Sequence, residues 1–288
     1  MHSVSVIVST YNQPRLLHRC LVALGRQSCR EYEVLIADDG SGEDTRSLIE
    51  RHRRDCGHPL KHVWHEDRGF RKTEILNKSV LAASGEYLVF IDGDCIAHPD
   101  FISQHVLEAR PGHYLNGSLI RLGRDLSERI TEAAIHSGRA FQAAWLTRQG
   151  RGFNRRYLRL ALPAGLRRRL NRLTPTTLYW LGSNSSCFRA DALAINGFDH
   201  RFTYGFEDAD FGYRLELSGI KASTVRWTAV ILHLWHERPW SSPEVLAANR
   251  ELANEPLASG RRRAVIGIDE LSAPPLARPS AKRANRPG

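Results

Sequence analysis

Through roughly its first hundred residues the chain alternates short apolar runs with longer amphipathic stretches, and no other feature narrows the fold as far. The runs at 4–9, 33–37, 60–64 and 87–91 are strand-length and rich in Val, Ile, Leu, Tyr and Phe. Between or after them, 14–25, 44–54, 73–83 and 99–108 space their apolar residues for helices that pack on one face. Strands separated by helices cannot close as hairpins; they join one sheet through crossovers. The expected class is therefore α/β, a Rossmann-like nucleotide-binding sheet flanked by helices. Such sheets take ligands beyond the carboxyl ends of their strands, so the residues there are the ones to read for chemistry.

Three of those ends are polar in a patterned way. The fourth run closes in Phe90-Ile91-Asp92-Gly93-Asp94, and a turn at Gly93 would let both carboxylates approach one hard cation. Alone, this is also what an ordinary strand-ending turn looks like. The first run ends in Ser9-Thr10-Tyr11-Asn12 and the second in Asp38-Asp39-Gly40-Ser41, so three loops converge on one edge. Tyr11 there suits stacking on a base and Asp39 suits an imide N–H; for Asp38 and Asp39, helix capping or a turn is an equal reading.

These blocks, with Asn77-Lys78 and Ala83-Ser84-Gly85-Glu86-Tyr87 between them, closely resemble the pattern of glycosyltransferase family 2, whose fold is GT-A. The resemblance implies that Thr10, Tyr11 and Asp39 bind the nucleoside, that Asp92 contacts its ribose, and that Asp94 binds a metal at the diphosphate. Asp67-Arg68-Gly69-Phe70-Arg71-Lys72 looks like the family's donor segment, with Arg71 the preferred phosphate ligand and Lys72 and Arg68 close alternatives.

Beyond residue 112 the pattern loosens, then resumes as a strand over 181–189, a short helix over 190–195, a glycine-bearing loop and a helix over 207–218. Gly182-Ser183-Asn184-Ser185-Ser186, Asn196-Gly197-Phe198-Asp199 and Gly205-Phe206-Glu207-Asp208-Ala209-Asp210 resemble the acceptor region shared with galactosyltransferases. The resemblance makes Glu207 and Asp208 the acidic pair that holds and deprotonates the acceptor, with Asp208 the general base. An inverting displacement needs such a carboxylate opposite the leaving diphosphate, and a helix N-terminus is expected to keep Asp208 ionised. Read without the upstream blocks, Glu207, Asp208 and Asp210 are residues that favour the first turn of any helix. An apolar run over 222–232 leads into His233-Leu234-Trp235-His236, where His233 first and His236 second are expected to complete the metal shell, manganese before magnesium.

The sequence thus divides into a nucleotide-sugar-binding half (1–111), an acceptor-binding half (112–260) and an Arg-Pro-Ala-Ser-rich tail expected to be disordered (261–288). Net charge is +10, and its excess is local: no carboxylate lies between Glu132 and Asp191, while 139–172 carries ten arginines. That segment, broken at Pro163, suits an anionic membrane surface and a lipid-linked acceptor, or else is a solvated insertion packed on the domain. A nucleic-acid-binding protein would explain the charge but not Asp39, Asp94 or Asp208. A sugar nucleotidyltransferase would need a glycine-rich basic loop where Ser9-Thr10-Tyr11-Asn12 stands. Five scattered cysteines give no disulfide framework or zinc pattern. With neither a signal-like start nor a run long enough to span a bilayer, the expected location is cytoplasmic, at most peripheral at the membrane. The expected partners are a nucleotide sugar, UDP-linked by preference, and a glycan or lipid-linked hydroxyl acceptor, with no nucleic acid.

Overall fold

A computed structural model describes residues 2–174, 176–237 and 242–272. The first half runs β1 (Val4–Thr10), α1 (Pro14–Leu24), β2 (Glu33–Asp38), α2 (Glu43–Asp55), β3 (Leu60–Trp64), α3 (Lys72–Ala82), β4 (Tyr87–Asp92), β5 (Cys95–Ala97) and α4 (Phe101–Glu108). There follow β6 (His113–Asn116), β7 (Ser118–Arg121) and five short helices, α5 (Arg124–Arg129), α6 (Glu132–His136), α7 (Ala143–Gln149), α8 (Leu158–Ala161) and α9 (Ala164–Leu173). The chain then makes β8 (Ser185–Phe188), α10 (Arg189–Ala194), α11 (Glu207–Leu217), β9 (Lys221–Thr224), β10 (Val230–His233), α12 (Pro243–Ser259) and α13 (Ile268–Ser272).

Seven strands form one sheet in the order β3-β2-β1-β4-β8-β6-β9, and β5-β10-β7 form a smaller one. The first four strands pair in parallel, as helical crossovers require, and β8 then adds antiparallel to β4. Both faces are covered, so alternate residues of one strand enter different cores. Val6 and Val8 pack with Leu17, Leu21 and Ile49, whereas Ile7, between them, packs with Ile75, Val80 and Phe211. A third core under the small sheet gathers Ile120, Phe141, Leu146, Tyr157 and Leu232.

Four expectations change. The run over 222–232 is two strands in two sheets, because the Thr228 and Ala229 N–H groups turn back onto the Val225 carbonyl at 2.9 and 2.8 Å. The strand expected from 181 begins only at Ser185, since the Asn184 N–H closes a turn on the Leu181 carbonyl. The arginine-rich stretch does break at Pro163, between α8 and α9, but it is further divided into a succession of short helices, with Phe141, Leu146 and Tyr157 anchored in the third core. Residues 261–272 are ordered: the Ala264 and Val265 N–H groups bond the Ile195 carbonyl and Asp199, and Ile268 is buried in the second core. Composition concealed this because several of the anchoring side chains, Arg261, Arg263 and Glu270, are charged and read in sequence as solvated. Residues 273–288 lie outside the described residues. No helix among the described residues is long and apolar enough to cross a membrane.

Candidate active site

The parallel register brings the three polar strand ends level. Thr10 pairs with Asp38 and Ser9 with Asp92, so β1, β2 and β4 deliver their terminal residues to one edge of the sheet. A cavity of about 710 Å³ opens there, in the size range of small-molecule sites. Nine of the ten residues expected at the site line it: Thr10, Tyr11, Asp39, Asp92, Asp94, Glu207, Asp208, His233 and His236. Arg71 does not. Its guanidinium turns to Glu74 and to the Glu66 carbonyl, while its backbone N–H donates to Asp39 at 3.0 Å.

The two aspartates at the end of β2 have separate jobs. Asp38 is fully buried and committed to the Ser41 N–H and His62, both at 2.8 Å, which is the turn reading. Asp39 reaches the cavity wall, braced by His65 at 2.7 Å and by Arg71. Gly40 makes the turn at φ +95°, and a Cβ there would lie 2.6 Å from Asp67 Cα, so this loop is pressed against the donor-like segment. Asp67 in turn accepts from the Tyr11 hydroxyl at 2.9 Å.

Lys72 occupies the place expected of Arg71. Its ammonium lies 3.2 Å from Asp92 and 3.7 Å from Glu207, and Ser9 also donates to Asp92, at 2.5 Å. Burial weighs against this ammonium, but Asp92, Glu207 and Asp208 outweigh it and hold Lys72 well above its ordinary range. The cation is thus fixed among the carboxylates of the cavity.

Asp94 follows β4 at the opening of β5, and the antiparallel pairing of β5 with β10 sets Cys95 opposite His233. One Asp94 oxygen lies 2.9 Å from His236 Nε2 and 3.7 Å from His233 Nε2. Burial pushes this carboxyl up, yet the two histidines prevail and hold it below the usual range. One carboxylate and two imidazoles form a donor set suited to a manganese-class ion. Cys95 belongs to the same cluster, but burial keeps its thiol protonated, and its Sγ donates to the other Asp94 oxygen at 3.2 Å. The residues that fit a divalent ion are therefore Asp94, His233 and His236.

At the N-terminus of α11, Asp208 accepts from the Gly182 N–H at 3.0 Å through one oxygen. The other oxygen is buried with no hydrogen-bond partner among the described residues. Burial, then the neighbouring Glu207, pushes the carboxyl up to about 7, working against the helix terminus expected to keep it ionised. A carboxyl near neutrality with an idle oxygen is matched to taking a proton at physiological pH. Asp210 is instead a buried structural partner of Arg214, at 2.6 Å.

The sequence profile described as Glycosyl transferase family 2 matches residues 5–163, which is 159 of the 288 residues. The chain belongs to glycosyltransferase family 2. A second profile, described as the N-terminal domain of galactosyltransferase, matches residues 176–237 of this family-2 enzyme and so covers Asp208 and His233. Its GT-A fold is shared with S. aureus TarS 1–349 in complex with UDP-GlcNAc, at TM-score 0.61 and 17% identity over 93% of this chain and 69% of that one. A Pyrobaculum calidifontis mannosyltransferase in complex with GDP-Man and Mn2+ matches at TM-score 0.55 and 19% identity, covering 83% of this chain and 59% of the other. Among curated relatives, the validoxylamine A glucosyltransferase of Streptomyces hygroscopicus subsp. jinggangensis is 29% identical, over 77% of this chain and 53% of its own length. The Escherichia coli chondroitin synthase is 26% identical, over 75% of this chain and 32% of its own. The family-2 chain spans about half or less of the length of these curated relatives.

Of two further contributors, Lys72 is among the alternatives the sequence leaves open and the contact of Gly182 with Asp208 escapes sequence reading. Lys72 stood beside the preferred Arg71, and nothing in composition separates them. Gly182 touches Asp208 only because the two segments meet in space; a Cβ at 182 would lie 2.4 Å from Asp208 Oδ1.

Proposed function

We propose that this chain is an inverting, metal-dependent hexosyltransferase, taking its sugar from a nucleotide diphosphate donor, UDP-linked by preference. The acceptor is a hydroxyl of a glycan or lipid-linked molecule in cell-surface polysaccharide or lipopolysaccharide synthesis. The observation that carries this reading is the buried Asp208 oxygen without a partner, in a cavity also lined by Asp94, His233 and His236.

In this reading Asp39 and Tyr11 hold the nucleoside and Asp92 the ribose. Asp94 with His233 and His236 would hold the divalent ion, which when bound neutralises negative charge on the departing diphosphate. Lys72 adds a fixed positive charge to the donor side of the cavity, and Glu207 orients the acceptor. Asp208 takes the proton of the acceptor hydroxyl as its oxygen bonds to the anomeric carbon. The bond from that carbon to the diphosphate oxygen breaks, its electron pair leaves with the nucleoside diphosphate, and a single displacement inverts the centre.

The test is release of nucleoside diphosphate from a panel of nucleotide sugars with manganese, magnesium or chelator, for the native chain and Asp94→Ala, alongside calorimetric binding of each nucleotide. Turnover of one UDP-sugar that needs metal and is lost in Asp94→Ala is the expected result. Failure of every nucleotide to bind in the presence of metal would overturn the proposal. Asp208→Asn is expected to abolish transfer while donor binding persists; retained turnover removes Asp208 from its role.

A further inference from the structure

A surface helix ordinarily turns its apolar side chains inward. Helix α9 does the reverse. Its inner face carries Arg167 and Asn171, both buried. Asn171 donates to Thr228 Oγ1 at 3.0 Å and accepts from the Trp227 N–H at 2.8 Å, and Arg167 donates to the Arg159 carbonyl at 3.2 Å. Just past the helix, Thr174 accepts from the Trp227 indole at 2.9 Å. These bonds fix the rotation of the helix. Leu166 and Leu173, two turns apart and hence on one line, are left outward at 44% and 74% exposure.

The rest of the outward arc is Arg168, Arg169 and Arg172, all exposed. The stretch before α9 adds exposed Arg155 and Arg156 with exposed Phe153 and Leu158. Arg159 lies 5.7 Å over the Trp227 ring, so α8 and α9 are fastened to the same turn. Among the described residues Arg155, Arg156, Arg168 and Arg169 have no carboxylate partner, and Arg172 reaches Glu108 only at 3.9 Å. Isolated exposed leucines carry no meaning. Here they share a face with unneutralised guanidinium groups while polar side chains occupy the interior, so the complementary partner is anionic at its surface and apolar just beneath. A lipid bilayer with anionic headgroups has that layering. A nucleic acid does not, and leucines offer its bases no stacking platform.

We infer that α9, with the arginines preceding it, docks this chain on an anionic membrane surface, Leu166 and Leu173 entering the headgroup layer and the arginines meeting lipid phosphates. The segment that carries this face leaves the catalytic cavity at Arg121 and returns to it at Leu181. Resting on the proposed transferase reading, a membrane-docking face within this connected segment favours a lipid-linked acceptor.

The test is sedimentation of the full chain with vesicles of phosphatidylcholine alone or with added phosphatidylglycerol. The native chain is expected to partition onto the anionic vesicles only, and salt should release it. Replacing Arg168, Arg169 and Arg172 with Glu should weaken partition roughly a hundredfold, and Leu166→Ser with Leu173→Ser about tenfold. Both variants should bind nucleotide like the native chain, which verifies their fold. Equal partition onto the two vesicle types, or unchanged partition of either variant, overturns the inference. So does tight binding of a single-stranded oligonucleotide with none to vesicles. Because nucleotide binding and vesicle binding are read separately, loss of either one leaves the other proposal standing.

Discussion

Replacing Gly182 with Ala is expected to slow transfer without replacing any group that participates in it. The added methyl would lie 2.4 Å from one Asp208 oxygen and 2.6 Å from the other, where real Cβ contacts do not fall under 3.0 Å. The carboxylate must therefore retreat by at least about 0.6 Å, and the 3.0 Å bond from the Gly182 N–H stretches or breaks with it. Misplacing a reacting group by about an ångström costs on the order of a hundredfold in rate. We expect kcat to fall between about tenfold and a hundredfold, with the donor dissociation constant within a factor of about two. Steady-state kinetics paired with calorimetric titration of nucleotide separates the two. A Gly182→Ala enzyme that keeps most of its kcat would refute the argument, because the base would then tolerate a displacement the cavity should forbid.

The rate should also follow the ionisation of Asp208: kcat is expected to be level above about pH 7 and to decline toward tenfold per pH unit below it, since burial and Glu207 raise this carboxyl and its protonated form accepts no proton. A profile flat down to pH 5 would contradict that assignment. Glu33→Gln should destabilise the fold by about 2 kcal/mol at pH 7 in urea unfolding, because this buried carboxylate accepts from Ser5 and Ser84 and pairs with Lys61. Burial pushes Glu33 up, but Lys61, Ser5 and Ser84 prevail and hold it at about 2, so its contribution is complete above 4.5, the ordinary value, and fades as pH falls toward 2. The gap between native and variant stability should close accordingly, and a gap that is constant from pH 7 to 3 would show that the charge is not involved.

Strand ends and helix starts were legible because they rest on local chemistry. Period, length and bounding turns located β1 to β4, and parallel pairing made the polar ends neighbours without further information. Arg71 and Lys72 marked the limit of that reading. At a helix entry one residue of offset turns a side chain by about 100°, so the capping Arg71 folds back on Glu66 and Glu74 while Lys72 enters the cavity. The upward shift of the Asp208 carboxyl is not legible in sequence for a related reason: its helix position is local, but the burial that raises it comes from distant segments. The division of 222–232 between two sheets likewise depends on Asn171, which captures the Trp227 N–H from a helix more than fifty residues earlier. Residues 261–272 read as tail because their anchors, Ile195 and Asp199, belong to the opposite side of the pairing.

The position of β4 between β1 and β8 bears on how the protein is made. A growing chain has β1 to β4 in hand when residue 92 is synthesised, but the partner for the far side of β4 is not complete until residue 188. At roughly 5–20 residues per second, the apolar edge Tyr87-Leu88-Val89-Phe90 is without that neighbour for about 5–20 s. Strands uncovered in this way invite pairing between chains. The long stretch of chain between β4 and β8 therefore lengthens the interval in which that edge is open to pairing with another chain.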